Sequence, residues 1–317
     1  MKWSIGADIG YTNIRVVRVA NGVVTQALNF PTDVKSGPSG IARQVFSAVS
    51  KLREDEERPP EGLGVGIAGQ CDIRSGVVKS GPNLWWNDEP FEGTLADMTG
   101  LSTVLRNDVV MATMGEWKHG AGSGSDNVAT LFVGTGIGGG AVVDGRLLDG
   151  ATGCAGHFGH VSVDLDGPVC TCGRKGCVEA YAGGWAVARR AQEALTRDMR
   201  SSELLHALSK GGVDTVDCRM VAEAAHRGDR LALEIRDEMA RALSSAVASV
   251  INSLNPEKVV LGGTVLNGFP ALREMVAEGA LRACLKPVRK GLSIVPSSLG
   301  DLAGSIGAAT MVMEKLG

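Results

Sequence analysis

The chain has 317 residues, 32 Lys+Arg against 35 Asp+Glu, a formal net charge of −3 and 44% hydrophobic residues. That length fits two domains with a sizeable core each, and the composition excludes a disordered chain. The near-neutral balance speaks against a nucleic-acid binder, which carries a basic excess, and no charge-free apolar run is long enough for a membrane helix. Asp8 breaks the apolar run that a signal peptide needs, so the expected location is the cytoplasm. Glycine, at 44 residues, has about twice its usual share. Such a share points to tight turns and close backbone approaches, as in phosphate-binding loops.

In chain order, residues 3–18 predict a strand, a glycine turn and a second strand. The Asn21-Gly22 hairpin signal leads to a third strand at 23–28. The spacing of Ile41, Val45, Val49 and Leu52 predicts a helix over 41–53, ended by the run EDEER and by Pro59-Pro60. A buried strand at 63–68 runs into Gly69, and another at 102–105 delivers Asn107 and Asp108, with a helix following through Met114 and Glu116. From Asn127 the pattern of two strands around a glycine turn repeats, which hints at an internal duplication. Helices are expected at 185–195, 201–208, 218–226 and 231–254, then a strand at 258–261, and a last helix from Ala303. Alternating strands and helices mean an α/β class of mixed sheets, in which ligands bind at strand ends.

Several turns carry chemistry. In D-I-G-Y-T-N, Asp8 can hold Mg²⁺, Gly10 admits close approach, and Thr12 and Asn13 can donate to phosphate oxygens; the alternative is a plain hairpin turn. V-G-T-G-I-G-G-G places Gly134, Thr135, Gly136 and Gly138 between two apolar strands. Bare amides turned towards phosphate explain it, or a structural glycine hairpin does. It is neither a Walker A loop, since no Lys follows, nor a dinucleotide fingerprint, since a strand follows. Gly262 and Gly263 make a third such turn, a plausible floor under a nucleobase. In R-N-D-V, Asp108 can act as general base towards a sugar hydroxyl while Asn107 orients the ring, and either can also cap a helix. Cys170, Cys172 and Cys177 offer three thiolates to Zn²⁺, with His157 or His160 upstream as the fourth ligand of a structural site. Cys71, Cys154, Cys218 and Cys284 are then expected to be free thiols.

In this order the motifs resemble the ROK family of bacterial sugar kinases and related repressors, over essentially the whole chain. D-I-G-Y-T-N, G-I-A-G, P-N-L-W-W, N-D, G-T-G-I-G-G-G, A-G-H-F-G-H and C-T-C-G-R-K-G-C-V-E all carry the resemblance. It implies a two-domain actin-like ATPase (ribonuclease H-like) α/β fold. The smaller domain would comprise 1–115 plus about 301–317, the larger 116–300 with the zinc loop, and ligands would bind in an interdomain cleft. It implies an enzyme transferring the γ-phosphate of ATP to the 6-hydroxyl of a hexose or N-acylhexosamine, with Asp108 as base. Gly69, Asn83, Asn107, His157, His160 and Glu179 would contact sugar. Asp8, Gly10, Thr12, Asn13 and the glycine turns would serve ATP and Mg²⁺. His160 would join the three cysteines on a structural Zn²⁺, and the protein would be a homodimer or homotetramer.

Three positions depart from the family pattern: Ala68 for Pro, Val110 for Asn and His157 for Glu. The last resembles A-G-H-x-G-H of some N-acetylmannosamine kinases and weakens the expectation of glucose specificity. A sugar-sensing regulator of the same family would carry an extra N-terminal helix-turn-helix, which a phosphate turn at Asp8 leaves no room for. A sugar-binding homologue without turnover is the remaining alternative.

Overall fold

The computed structural model describes residues 2–54, 56–210 and 212–316. Its strands are β1 (Trp3–Ile9), β2 (Asn13–Ala20), β3 (Val23–Pro31), β4 (Leu63–Ile67), β5 (Gln70–Asp72), β6 (Val77–Gly81) and β7 (Trp86–Glu89). After these come β8 (Thr103–Asn107), β9 (Val128–Val133), β10 (Ile137–Val143), β11 (Arg146–Leu147), β12 (Lys258–Gly262) and β13 (Ser293–Pro296). Two five-stranded sheets run β3-β2-β1-β4-β8 and β11-β10-β9-β12-β13, and β5-β6-β7 form a small third sheet.

Contacts divide the chain into two compact units. The first comprises the residues up to Asp126, Gly140–Gly156 and the residues from Ser298; the second comprises Asn127–Gly139 and His157–Ser297. The boundaries that the family resemblance implies lie at 115/116 and about 300/301. The helix Asp108–His119 runs past residue 115 and packs on the helix Ala303–Leu316, which keeps it whole in the first unit: a Cβ on Gly307 would come 1.8 Å from the Met111 carbonyl oxygen.

In the first unit β1 and β4 are buried almost throughout, as strands covered on both faces are, whereas the edge strand β3 alternates exposed and half-buried residues. The helix Ala303–Leu316 lies so close to β4 that a Cβ on Gly64 would sit 1.8 Å from the Ala308 carbonyl oxygen. Ile5, Ile9, Ile41, Val45, Leu52, Leu63, Phe91 and Leu95 make the core. β1, β4 and β8 are parallel and in register, Ile9 facing Ile67 and Ile67 facing Asn107. Their C-terminal ends therefore share one sheet edge, where ligands of such sheets bind.

In the second unit the long helix Arg230–Leu254 packs Leu243, Val247 and Ile251 into a core with Leu131, Val259 and Leu261. The sheet pairs β9 and β12 in parallel, with Leu131 facing Leu261. The expected elements appear; the third sheet, β13 and the helices Phe91–Thr99 and Pro270–Ala283 were not foreseen. Among the described residues no helix is long and apolar enough to cross a membrane.

Candidate active site

Asp8 and Asp108 meet at the shared edge of the first unit. Asp8 stands at the end of β1, and its carboxyl is pushed up to about 7, first by burial, then by the charge of Asp108; Arg15 opposes this. Gly304, in the first turn of the helix Ala303–Leu316, abuts it: a Cβ there would lie 2.9 Å from the Asp8 Cγ. The turn after Asp8 is closed by the Gly10 N–H, which donates to the Asn13 carbonyl at 3.0 Å, and it leaves Thr12 exposed.

Asp108 is the first residue of its helix and Asn107 is the N-cap. The Asn107 side-chain oxygen accepts from the N–H groups of Val109 (3.0 Å) and Val110 (3.3 Å), so the cap expected from sequence forms. The Asn107 Nδ2 donates to the Gly69 carbonyl (3.1 Å) and to the Asp108 Oδ1 (2.8 Å), and the Val109 N–H donates to that same Oδ1 (2.9 Å). Burial raises the Asp108 pKa, and the hydrogen bonds from Val109, its own backbone and Asn107 oppose the rise. Gly69 is pinned in its turn, since a Cβ would come 2.8 Å from the Ser80 carbonyl oxygen. Asn83 is exposed on the short turn Pro82–Leu84.

In the second unit the glycine turn between β9 and β10 is closed by the Gly134 N–H donating to the Gly136 carbonyl at 2.9 Å, with Thr135 exposed at its tip. Beneath it lies the buried Glu179. Its Oε2 accepts from the Ile137 N–H at 2.8 Å and would be 2.7 Å from a Cβ on Gly136; its Oε1 accepts from Thr171 and from the Trp185 indole, each at 3.4 Å. Glu179 thus ties the glycine turn to the cysteine loop. Gly262 and Gly263 press against Phe132 and Val133, so close packing on β9 already requires them.

His160, Cys170, Cys172 and Cys177 bring their donor atoms within 4.8 Å of one another. The Cys172–Cys177 sulfurs are 3.7 Å apart, as are the His160 Nδ1 and the Cys170 sulfur. A tetrahedral Zn²⁺ with sulfur at about 2.3 Å has edges of about 3.8 Å, so the four donors fit the ion. The loop is cramped: Gly176 has φ 70° and a Cβ there would lie 1.5 Å from the Asp164 carbonyl oxygen. The Arg174 backbone N–H draws the exposed Cys172 thiol down to about 7, towards the thiolate a metal needs. His160, not His157, joins the cysteines. The half-buried His157 ring stands 6.3 Å from that of His160, and burial first, then His160, lowers its pKa. All seven cysteines are free of disulfides.

Residues 4–315 match the model of the ROK family. The chain belongs to that family. A glucokinase of Thermotoga maritima is 35% identical over 99% of this chain and 98% of its own length. An N-acetylmannosamine kinase of Citrobacter koseri is 31% identical over 83% of each. The crystal structure of a ROK family glucokinase from Streptomyces griseus, in complex with glucose and AMPPNP, superposes with a TM-score of 0.84 at 31% identity, covering 98% of this chain and 99% of that one. The α/β fold is therefore that of the actin-like ATPases. Gly304 and Gly66, which no sequence motif singles out, pack against the two carboxylates: a Cβ on Gly66 would meet the Asp108 Cα at 3.3 Å. Their only sequence signal is a glycine inside a strand and one inside a helix.

Proposed function

We propose that the protein is an ATP-dependent sugar kinase that transfers the γ-phosphoryl group to the 6-hydroxyl of a hexose or N-acylhexosamine. The observation that carries this reading is Asp108: a carboxylate raised by burial, fixed by Asn107 and the Val109 N–H, at the strand edge it shares with Asp8. Both bonds fall on Oδ1, and we assign Oδ2 to take the proton of the sugar hydroxyl as its oxygen attacks phosphorus. Burial raises the Asp108 pKa, which makes its carboxylate a better proton acceptor than an exposed one.

Phosphoryl transfer asks for positioning and charge neutralisation more than covalent chemistry. Asp8, at the end of its strand and facing Asp108, would hold Mg²⁺, which would supply positive charge to the phosphates. Thr12, Asn13 and the amides around Gly134, Thr135, Gly136 and Gly138 would bind phosphate oxygens. Zn²⁺ on its four protein ligands would have no open position, so it serves structure, holding the loop that carries Glu179. Asn83, Gly69, Asn107, His157, His160 and Glu179 remain the proposed sugar contacts.

The relatives named glucokinase and N-acetylmannosamine kinase support this substrate range. His157 weights it towards N-acyl or mannose-type sugars, since neutral imidazole offers one donor and one acceptor where a carboxylate only accepts. The test is coupled ADP release over glucose, mannose, fructose, glucosamine, N-acetylglucosamine and N-acetylmannosamine. ADP release with at least one of them, and none with its 6-deoxy analogue, supports the reading; none with any sugar overturns it.

A further inference from the structure

Among the described residues five non-glycine positions have positive φ: Asn21, Trp85, Asp88, Asp144 and Asn255. Asn and Asp tolerate this region because a short polar side chain bonds locally, but for a bulky residue it is an outlier. Trp85 has φ 56° in the left-handed region, where glycine would sit without strain. Nor does packing compensate, because Trp85 is 74% exposed while its neighbours Leu84 and Trp86 are buried. Tyr11, itself 53% exposed, meets Trp85 edge-on with ring centroids 6.5 Å apart. Strain of this kind is held in place by the structure around it and clusters at ligand-binding sites.

The pair belongs to the sheet edge already described. Tyr11 lies in the turn that follows Asp8. The turn carrying Trp85 starts at Gly81, whose Cα is 3.3 Å from the place of a Cβ on Gly69, and the Gly69 carbonyl accepts from Asn107 beside Asp108. A pyranose ring has hydroxyls on its rim and an apolar C–H face. Asn107 and Asp108 serve the rim, and an indole is the side chain that fits the face. We propose that Trp85, braced by Tyr11, is a specificity-determining residue that packs its indole face on the C–H face of the sugar. This rests on the sugar-kinase reading.

Trp85→Gly, Trp85→Ala and Tyr11→Ala are to be assayed with ATP, Mg²⁺ and either glucose or N-acetylmannosamine. Trp85→Gly should raise Tm by about 2 °C by relieving the backbone. It should also raise the sugar KM by about tenfold, with kcat and the ATP KM changed far less. Trp85→Ala should weaken sugar binding without the gain in Tm, and Tyr11→Ala should raise the sugar KM by a smaller factor. A lowered Tm with an unchanged sugar KM would mean that Trp85 only supports the fold, and would overturn the proposal.

A second readout needs no turnover. Trp3, Trp86 and Trp117 are buried and Trp185 is half-buried, so the acrylamide quenching of Trp85 is read as the difference between wild type and Trp85→Phe. Either sugar should shield it in the wild type and not in Trp85→Phe. Shielding without phosphoryl transfer would sink the kinase reading and leave the aromatic contact standing. Phosphoryl transfer with no shielding and no change in sugar KM would do the reverse.

Discussion

Replacing Asp8 by Asn removes a charge that the fold holds at a cost. Burial, the negative charge of Asp108 and that of Asp301, opposed by Arg15, carry its carboxyl from 3.8 to about 7. In the unfolded chain this group loses its proton first. Between pH about 4 and about 7 the folded state therefore holds the extra proton, and stability falls by about 1.4 kcal/mol per pH unit. Above the folded pKa the slope vanishes, leaving a ceiling of about 4 kcal/mol for a shift of about three units. Asn is neutral throughout and close to the protonated acid in shape. Asp8→Asn should thus lose kinase activity, for want of a carboxylate near the phosphates, yet unfold at a higher temperature than wild type at pH 8. The gap should shrink steadily towards pH 4. Thermal midpoints of both proteins at pH 4, 5, 6, 7 and 8, without nucleotide or divalent cation, decide it. Midpoints that differ by the same amount at every pH, or a less stable variant at pH 8, would refute the reasoning.

If Asp108 is the base, Asp108→Asn should lower kcat by at least about a hundredfold while sugar and ATP binding persist; a variant keeping a tenth of wild-type turnover would leave Asp108 only a structural role at the helix start. Metal analysis should find one zinc per chain, lost in Cys172→Ser together with stability, and full activity with well under one equivalent would contradict the structural site. His157→Glu should shift kcat/KM towards glucose relative to N-acetylmannosamine by about ten- to a hundredfold, the scale of one unmatched buried polar group; an unchanged ratio would remove His157 from specificity.

Much of this was legible in the sequence because it rests on local rules. Apolar spacing predicts a helix over 41–53, which lies within the observed Gly37–Arg53, and the Asn107-Asp108 pair announces the cap that the structure shows. The cysteine spacing named the metal loop, and folding chose between the two candidate histidines by bringing only His160 to the sulfurs. What stayed hidden depends on distant partners. Gly64 reads as a strand residue of little consequence until Ala308, far along the chain, is seen against it. Gly304 acquires meaning only beside Asp8. Glu179 carries no local sign that it accepts from the Ile137 N–H under the glycine turn. The small β5-β6-β7 sheet was missed because its strands are three to five residues long, too short for period-two alternation to register.

With Asp108 as the base, the γ-phosphoryl group should arrive on the sugar 6-hydroxyl. Proton-coupled ³¹P NMR of the product formed from ATP and the preferred sugar tests it most directly. The expected product is a phosphate ester coupled to the two C6 protons, formed by wild type and at least about a hundredfold more slowly by Asp108→Asn. An ester coupled to the single anomeric proton, or release of inorganic phosphate alone, would contradict it.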